Sequence, residues 1–191
     1  VLVEKSIYES FVADCQHALE AIRVGDPTLA TTDMGPVISQ VHCDRILGFV
    51  NRATQSGVRL VTGGKRLGGE LAHGYFVAPT IVADVDNQCE IARDEIFGPV
   101  IAFLPFKDEE EALRIANDTE FGLAAYIESE NVRRVHRLAA ALNAGTVWVN
   151  GFYDLPMAAP FGGNKQSGVG RVGGIHGIRE FTRTKNVWLP L

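Results

Sequence analysis

Apolar residues recur at three-to-four-residue spacing between Ser6 and Arg23. Phe11, Cys15, Leu19 and Ile22 share one stripe while Glu9, Asp14 and Glu20 fall off it, which predicts an amphipathic helix ended by Gly25-Asp26-Pro27. Ser39 is an N-cap candidate for a second helix that turns Ile46, Leu47, Val50 and Ala53 inward and stops at Gly57. The pattern then shortens. Val58 to Val61 reads as a strand, Gly63-Gly64 and Gly68-Gly69 as a glycine-rich turn, and Tyr75 to Val82 as an extended stretch. Val100 to Pro105 reads as one buried strand, and Asp108 caps a helix from Glu109 to Asn117 whose first turn holds Glu109, Glu110 and Glu111. Leu123 to Ile127 is a strand, and Asn131 to Leu142 a helix with Val132, Val135, Leu138 and Ala139 on one face. Thr146 to Val149 is a strand, Ile175 to Phe181 a last helix, and Asn186 to Leu189 a terminal strand. This alternation predicts an α/β fold, a largely parallel sheet with flanking helices, in one structural unit.

Composition narrows the function classes. With 46% apolar and 21% charged residues, the 191-residue chain has globular character. No apolar run approaches the roughly 18 residues of a membrane span, and Val1-Leu2-Val3-Glu4-Lys5 lacks a signal peptide's basic region, so the expected compartment is cytoplasmic. A net charge of −5 without a basic stripe argues against nucleic acid or an anionic membrane as partner and for a small molecule. Cys15, Cys43 and Cys89 form no CxxC, and His17, His42, His73, His136 and His176 form no i, i+4 pair, so no metal site is expected. Cys15 falls on an apolar helix face, and His42 beside Cys43 makes no catalytic pair, because adjacent helical residues point apart.

Two glycine-aromatic blocks carry candidate chemistry. In Asp94-Glu95-Ile96-Phe97-Gly98-Pro99 the Gly-Pro pair bends the chain before a strand and presents Glu95 and Phe97 at its entrance. A carboxylate there can grip both hydroxyls of a ribose and the ring can pack on a nicotinamide; a capped turn with a core phenylalanine explains the same residues. In Pro160-Phe161-Gly162-Gly163-Asn164-Lys165-Gln166-Ser167-Gly168 the glycines allow close backbone approach and Phe161 supplies an apolar wall. Gly168, Gly170 and Gly173 match GxGxxG, but no strand leads directly into them and no second βαβ strand follows, so a phosphate-binding role is not expected.

The two blocks, with Gly74-Tyr75-Phe76-Val77-Ala78-Pro79-Thr80, Asn117-Asp118-Thr119-Glu120-Phe121-Gly122-Leu123 and Gly145-Thr146-Val147-Trp148-Val149-Asn150 in the same order, resemble the aldehyde dehydrogenase superfamily over essentially the whole chain. The resemblance implies a C-terminal catalytic-domain portion over residues 1–184 and an oligomerisation strand over 185–191. It implies NAD or NADP as cofactor, a small-molecule aldehyde as substrate, a homo-oligomer (dimer or tetramer), and oxidation to a carboxylic acid through a cysteine thioester. The family's nucleophile would lie shortly before Val1, and its general-base glutamate, oxyanion asparagine and Rossmann half further upstream, so the chain alone is expected to be inactive. By the same resemblance Glu95 would bind the nicotinamide ribose and Phe97 line the nicotinamide. His42 and Arg45 would stand near the cofactor's adenosine end. Phe161 would line the substrate tunnel, with Phe152, Tyr153 and Leu155 in the loop that shapes it. After Gly170-Arg171 many relatives carry a relay glutamate where this chain has Val172. The rival readings are a non-catalytic oligomerising or binding module of the same descent, and an acylating relative that forms an acyl-CoA or acyl phosphate.

Overall fold

The computed structural model describes residues 1–151 and 154–190 and divides into two compact units, Val1–Ala112 and Leu113–Leu191. The single unit expected from the sequence is thus two. Every strand pairing closes within one unit, and pairing partners are not visible in local patterning.

The first unit contains β1 (Leu2–Glu4), α1 (Tyr8–Glu20), α2 (Gln40–Gln55), β2 (Arg59–Thr62), β3 (Thr80–Ala83), α3 (Glu90–Arg93), β4 (Val100–Ala102) and β5 (Leu104–Phe106). β1 and β5 pair in parallel, while β3 lies between antiparallel β2 and parallel β4. The run predicted as one strand, Val100 to Pro105, is therefore two strands in different sheets. Phe103 makes the break: its N–H donates to the Val82 carbonyl and its side chain is buried, so the chain leaves β3 on one side of it and joins β1 on the other.

The core of this unit forms around Phe103, with Val3, Tyr8, Val12, Ile81 and Ala83. The stripe predicted through Phe11 is rotated on α1. Tyr8 and Val12 are buried, Cys15 and Leu19 pack beside them, and Phe11 stays partly exposed, edge-on to Phe103 with ring centroids 5.9 Å apart. The buried Tyr8 hydroxyl is satisfied twice, donating to the Phe103 carbonyl (3.2 Å) and accepting from the Asp84 N–H (2.7 Å).

Thr80 is the buried polar side chain of this core among the described residues. Its Oγ1 donates to the Ala78 carbonyl (2.7 Å) and accepts from the Gly64 N–H (2.9 Å), stitching the strand to the glycine turn. Thr80→Val keeps the volume and removes both partners. It is expected to cost about 1–3 kcal/mol, the usual penalty for orphaned buried groups, read as a lower urea midpoint at unchanged slope. An unchanged midpoint would show that the turn re-forms its bonds without the hydroxyl.

The helix ends follow the predicted caps. Ser39 Oγ accepts from the His42 N–H (3.2 Å) at the start of α2. Asp108 Oδ1 accepts from the Glu111 N–H (2.9 Å) while Glu111 reaches back to the Lys107 N–H (2.8 Å) at the start of α4 (Glu109–Asn117), within which the chain passes from one unit to the next.

The second unit holds β6 (Phe121–Gly122), β7 (Ala124–Ile127), α5 (Val132–Ala141), β8 (Thr146–Val149), β9 (Asn164–Lys165) and α6 (Gly174–Glu180). β7 and β8 are parallel, β6 and β9 antiparallel, and Asn131 Oδ1 caps α5 through the Arg134 N–H (3.1 Å). The α/β class expected from the alternation holds, and among the described residues its parallel pairing is distributed over three of four small sheets. Residues 182–190 form no strand, because a strand's backbone groups need a partner and none within the described residues pairs with them.

Candidate functional site

The geometry that carries chemistry in the first unit is built on one face of α2. His42, Arg45, Phe49 and Arg52 follow at i, i+3, i+7 and i+10, so they line one stripe of the helix. Arg52 grips Glu90 at the start of α3 through two bonds, Nε to Oε2 at 2.8 Å and Nη2 to Oε1 at 3.0 Å. The guanidinium carbons of Arg45 and Arg52 lie 5.0 and 4.9 Å from the centroid of the Phe49 ring, within cation–π range. The stripe thus fixes α3 and, directly after it, the loop Asp94 to Pro99.

Alternation within that loop sorts its side chains. Ile96 packs on the cluster of Cys43, Ile46 and Val77, whereas Glu95 and Phe97 on either side are exposed, Phe97 by 73%. The phenylalanine is therefore no core residue, which removes the alternative of a capped turn closed by a buried ring. Phe97 sits in the left-handed region at φ +53°. Gly98 lies so close to α2 that a Cβ would stand 2.6 Å from Ile46 Cδ1, so glycine lets the loop lie flat on the helix before β4 begins.

Three consecutive carbonyls of the loop are held by side chains of α2. Arg45 donates from Nη2 to the Glu95 oxygen (3.0 Å) and from Nη1 to the Ile96 oxygen (3.2 Å), and His42 Nε2 stands 2.6 Å from the Phe97 oxygen. A carbonyl only accepts, so Nε2 carries the proton in this bond. The sequence brings these two residues to the cofactor region by resemblance alone; their grip on the loop was not legible, because fifty or more positions separate them from its carbonyls.

In the second unit Phe161 and Val172 exchange two backbone bonds of 2.8 Å. Trp148 lies 6.4 Å from the Phe161 ring and stacks on Tyr126 at 5.1 Å, and its Nε1 donates to the Asp154 carbonyl (3.0 Å) beside partly exposed Leu155. Phe152 and Tyr153 lie outside the described residues. The glycines of this block serve the chain's own backbone: a Cβ on Gly145 would stand 1.7 Å from the Gly162 oxygen, and one on Gly162 2.6 Å from the Gly170 oxygen. At the GxGxxG match the Glu180 carboxylate comes within 3.1 Å of where a Gly170 Cβ would be.

Cys15 and Cys43 are not primed. Burial pushes the Cys15 thiol up, with Asp14 adding to it, and burial pushes up the Cys43 thiol, partly offset by Arg66 and reinforced by Asp44. Among the described residues no group of His, Cys, Asp or Glu could hold a metal ion, and no helix is long and apolar enough to cross a membrane.

The model of the aldehyde dehydrogenase family matches residues 1–187. An aldehyde dehydrogenase of Emericella nidulans is 43% identical over 98% of this chain and 37% of its own length, and a betaine aldehyde dehydrogenase of Cereibacter sphaeroides is 43% identical over 100% and 39%. Among solved structures, an aldehyde dehydrogenase of Mycobacterium tuberculosis complexed with NAD+ superposes with a TM-score of 0.93 at 39% identity, covering 99% of this chain and 39% of that one. A betaine aldehyde dehydrogenase of Staphylococcus aureus in complex with NAD+ gives 0.91 at 38% identity over 94% and 36%. The chain spans less than two-fifths of the length of these relatives. With its signatures in order, its α/β elements and a family match that runs almost end to end, the chain belongs to the aldehyde dehydrogenase family.

Proposed function

We propose that this chain supplies the nicotinamide-ribose end of an NAD(P) site and part of the substrate passage of an aldehyde dehydrogenase, which oxidises a small-molecule aldehyde to a carboxylic acid through a cysteine thioester. The carrying observation is the paired exposure of Glu95 and Phe97 on a loop whose intervening Ile96 is anchored in the core. The fit to the cofactor is chemical. An exposed carboxylate is an acceptor for two neighbouring ribose hydroxyls, and an exposed ring two residues on is a surface for a flat heterocycle. Once bound, the nicotinamide supplies the hydride acceptor. Glu95 orients the ribose, Phe97 shields one face from water, and Phe161, Leu155 and, by resemblance, Phe152 and Tyr153 offer an apolar boundary for the aldehyde. The NAD+ complexes of the structural relatives favour this cofactor class.

A homo-oligomer, dimer or tetramer, in the cytoplasm is part of the same reading. Its support is the terminal segment, where Val187, Trp188 and Leu189 are all exposed and no backbone pairing among the described residues holds them.

Glu95→Ala tests the proposal in the longer enzyme. Losing hydrogen bonds to a charged acceptor, worth about 1.5–3 kcal/mol, is expected to raise the NAD Kd roughly 10- to 100-fold. An unchanged Kd by titration calorimetry would overturn the cofactor assignment.

A further inference from the structure

We propose that His42 and Arg45 are positioning residues: acting as a clamp on the carbonyls of Glu95, Ile96 and Phe97, they set the loop conformation in which Glu95 and Phe97 meet the cofactor. The inference rests on the cofactor reading above and goes beyond it. By resemblance these two side chains belong near the adenosine end of the cofactor, yet their polar atoms engage backbone instead, at 3.0, 3.2 and 2.6 Å.

A single helix face supplying donors to three carbonyls in sequence fixes the loop's orientation about the chain axis as well as its distance from α2. The Arg45 guanidinium spans the first two carbonyls with two of its nitrogens, a geometry that its planar fork provides and a lysine ammonium cannot match. That fork is held in advance by the Phe49 ring, which also carries Arg52, itself tied to Glu90. His42 takes the third carbonyl, that of Phe97, the residue in the left-handed region. A non-glycine residue there is strained and persists only where its surroundings over-determine it. Ile96 below, Gly98 against Ile46 and the two α2 side chains above provide that determination. Without the side-chain bonds, Ile96 still anchors the loop, but the peptide planes on either side of Phe97 are free to turn and the exposed pair is no longer held in one arrangement.

The test combines a dynamic and a binding readout. In the 191-residue chain, ¹⁵N relaxation of the doubly substituted H42A/R45M protein is expected to show order parameters at Ile96, Phe97 and Gly98 falling from about 0.85 to below about 0.6, with α2 unchanged. If the loop then spends about 10–30% of its time in the binding arrangement, the NAD Kd of the longer enzyme rises about 3- to 10-fold. His42→Gln, whose amide can still donate to the Phe97 carbonyl, is expected to recover its share of both effects, and Arg45→Lys only part, having one nitrogen for two carbonyls. Unchanged order parameters would overturn the clamp. A loosened loop with unchanged NAD affinity, in an enzyme where Glu95→Ala does weaken NAD, would overturn the positioning role and leave the cofactor reading standing. NAD affinity indifferent to Glu95→Ala would overturn the cofactor reading and the positioning role with it, whatever the relaxation data show.

Discussion

These 191 residues by themselves are expected to form no NADH from NAD+ and an aldehyde. The proposed reaction begins with a thiolate adding to a carbonyl, and thiolate is what Cys15 and Cys43 are poorly placed to supply. Cys43 has no exposed surface and its thiol is pushed up by burial, so it offers neither access nor charge. Cys15 lies against the Phe103 core on α1 and is pushed up by burial and Asp14. Cys89 is half-buried at the N-cap of α3, a helix of four residues. The measurement is NADH absorbance over hours with the purified chain at high concentration and several apolar aldehydes. Turnover that survives repeated purification would overturn the expectation, and its loss on Cys89→Ala would name the nucleophile.

The same cysteines illustrate what periodicity can and cannot deliver. Cys15 belongs to the inner stripe of α1 as its spacing indicates, but the centre of that stripe is Tyr8 and Val12, not Phe11. A tyrosine at the core is legible only once its hydroxyl has partners, here the Phe103 carbonyl and the Asp84 N–H, from segments far away in sequence. Caps, by contrast, are local chemistry. Ser39, Asp108 and Asn131 each accept from an N–H three positions further on; the caps at Ser39 and Asp108 were legible for that reason, while Asn131 was read only as the start of a helix.

Sheet organisation was the least legible level. Val100 to Pro105 is a continuous apolar run, and nothing inside it reveals that β4 answers to β3 and β5 to β1. Three successive carbonyls held from α2 are likewise a tertiary fact: the loop sequence leaves open whether the ring is exposed or part of the core, and only the fold discloses its exposure and what fixes the backbone beneath it. The glycine block around Phe161 was legible as a place of close approach, though the sequence left open what approaches.

What approaches is the strand start at Gly145, and substituting it is expected to have a large effect on stability. The Gly145 backbone is not in the left-handed region, so strain at φ contributes nothing; the effect comes entirely from space. A methyl group there would stand 1.7 Å from the Gly162 oxygen and 3.3 Å from the Leu123 oxygen, and backbone cannot swing aside as a side chain can. Gly145 also donates to the Gly122 carbonyl (3.0 Å), where β6 meets β9, so separating it from Gly162 disturbs the entry to β8 and the segment that carries Phe161. Overpacking usually costs about 1–3 kcal/mol, and a clash between two backbones belongs at or above the upper end. Gly145→Ala is therefore expected to cost about 3 kcal/mol or more, with lost amide protection along β8 and at Phe161. Gly57→Ala is the control. Gly57 follows α2 at φ +92°, and a Cβ there would meet nothing within 4 Å, so the substitution carries only the conformational cost, about 1–2 kcal/mol. If the two variants unfold at the same urea concentration, the close approach of Gly145 and Gly162 is not what holds this part of the chain together. If Gly145→Ala falls well below Gly57→Ala while Phe161 and β8 lose protection together, the glycine signature is explained as a packing requirement that places the aromatic wall.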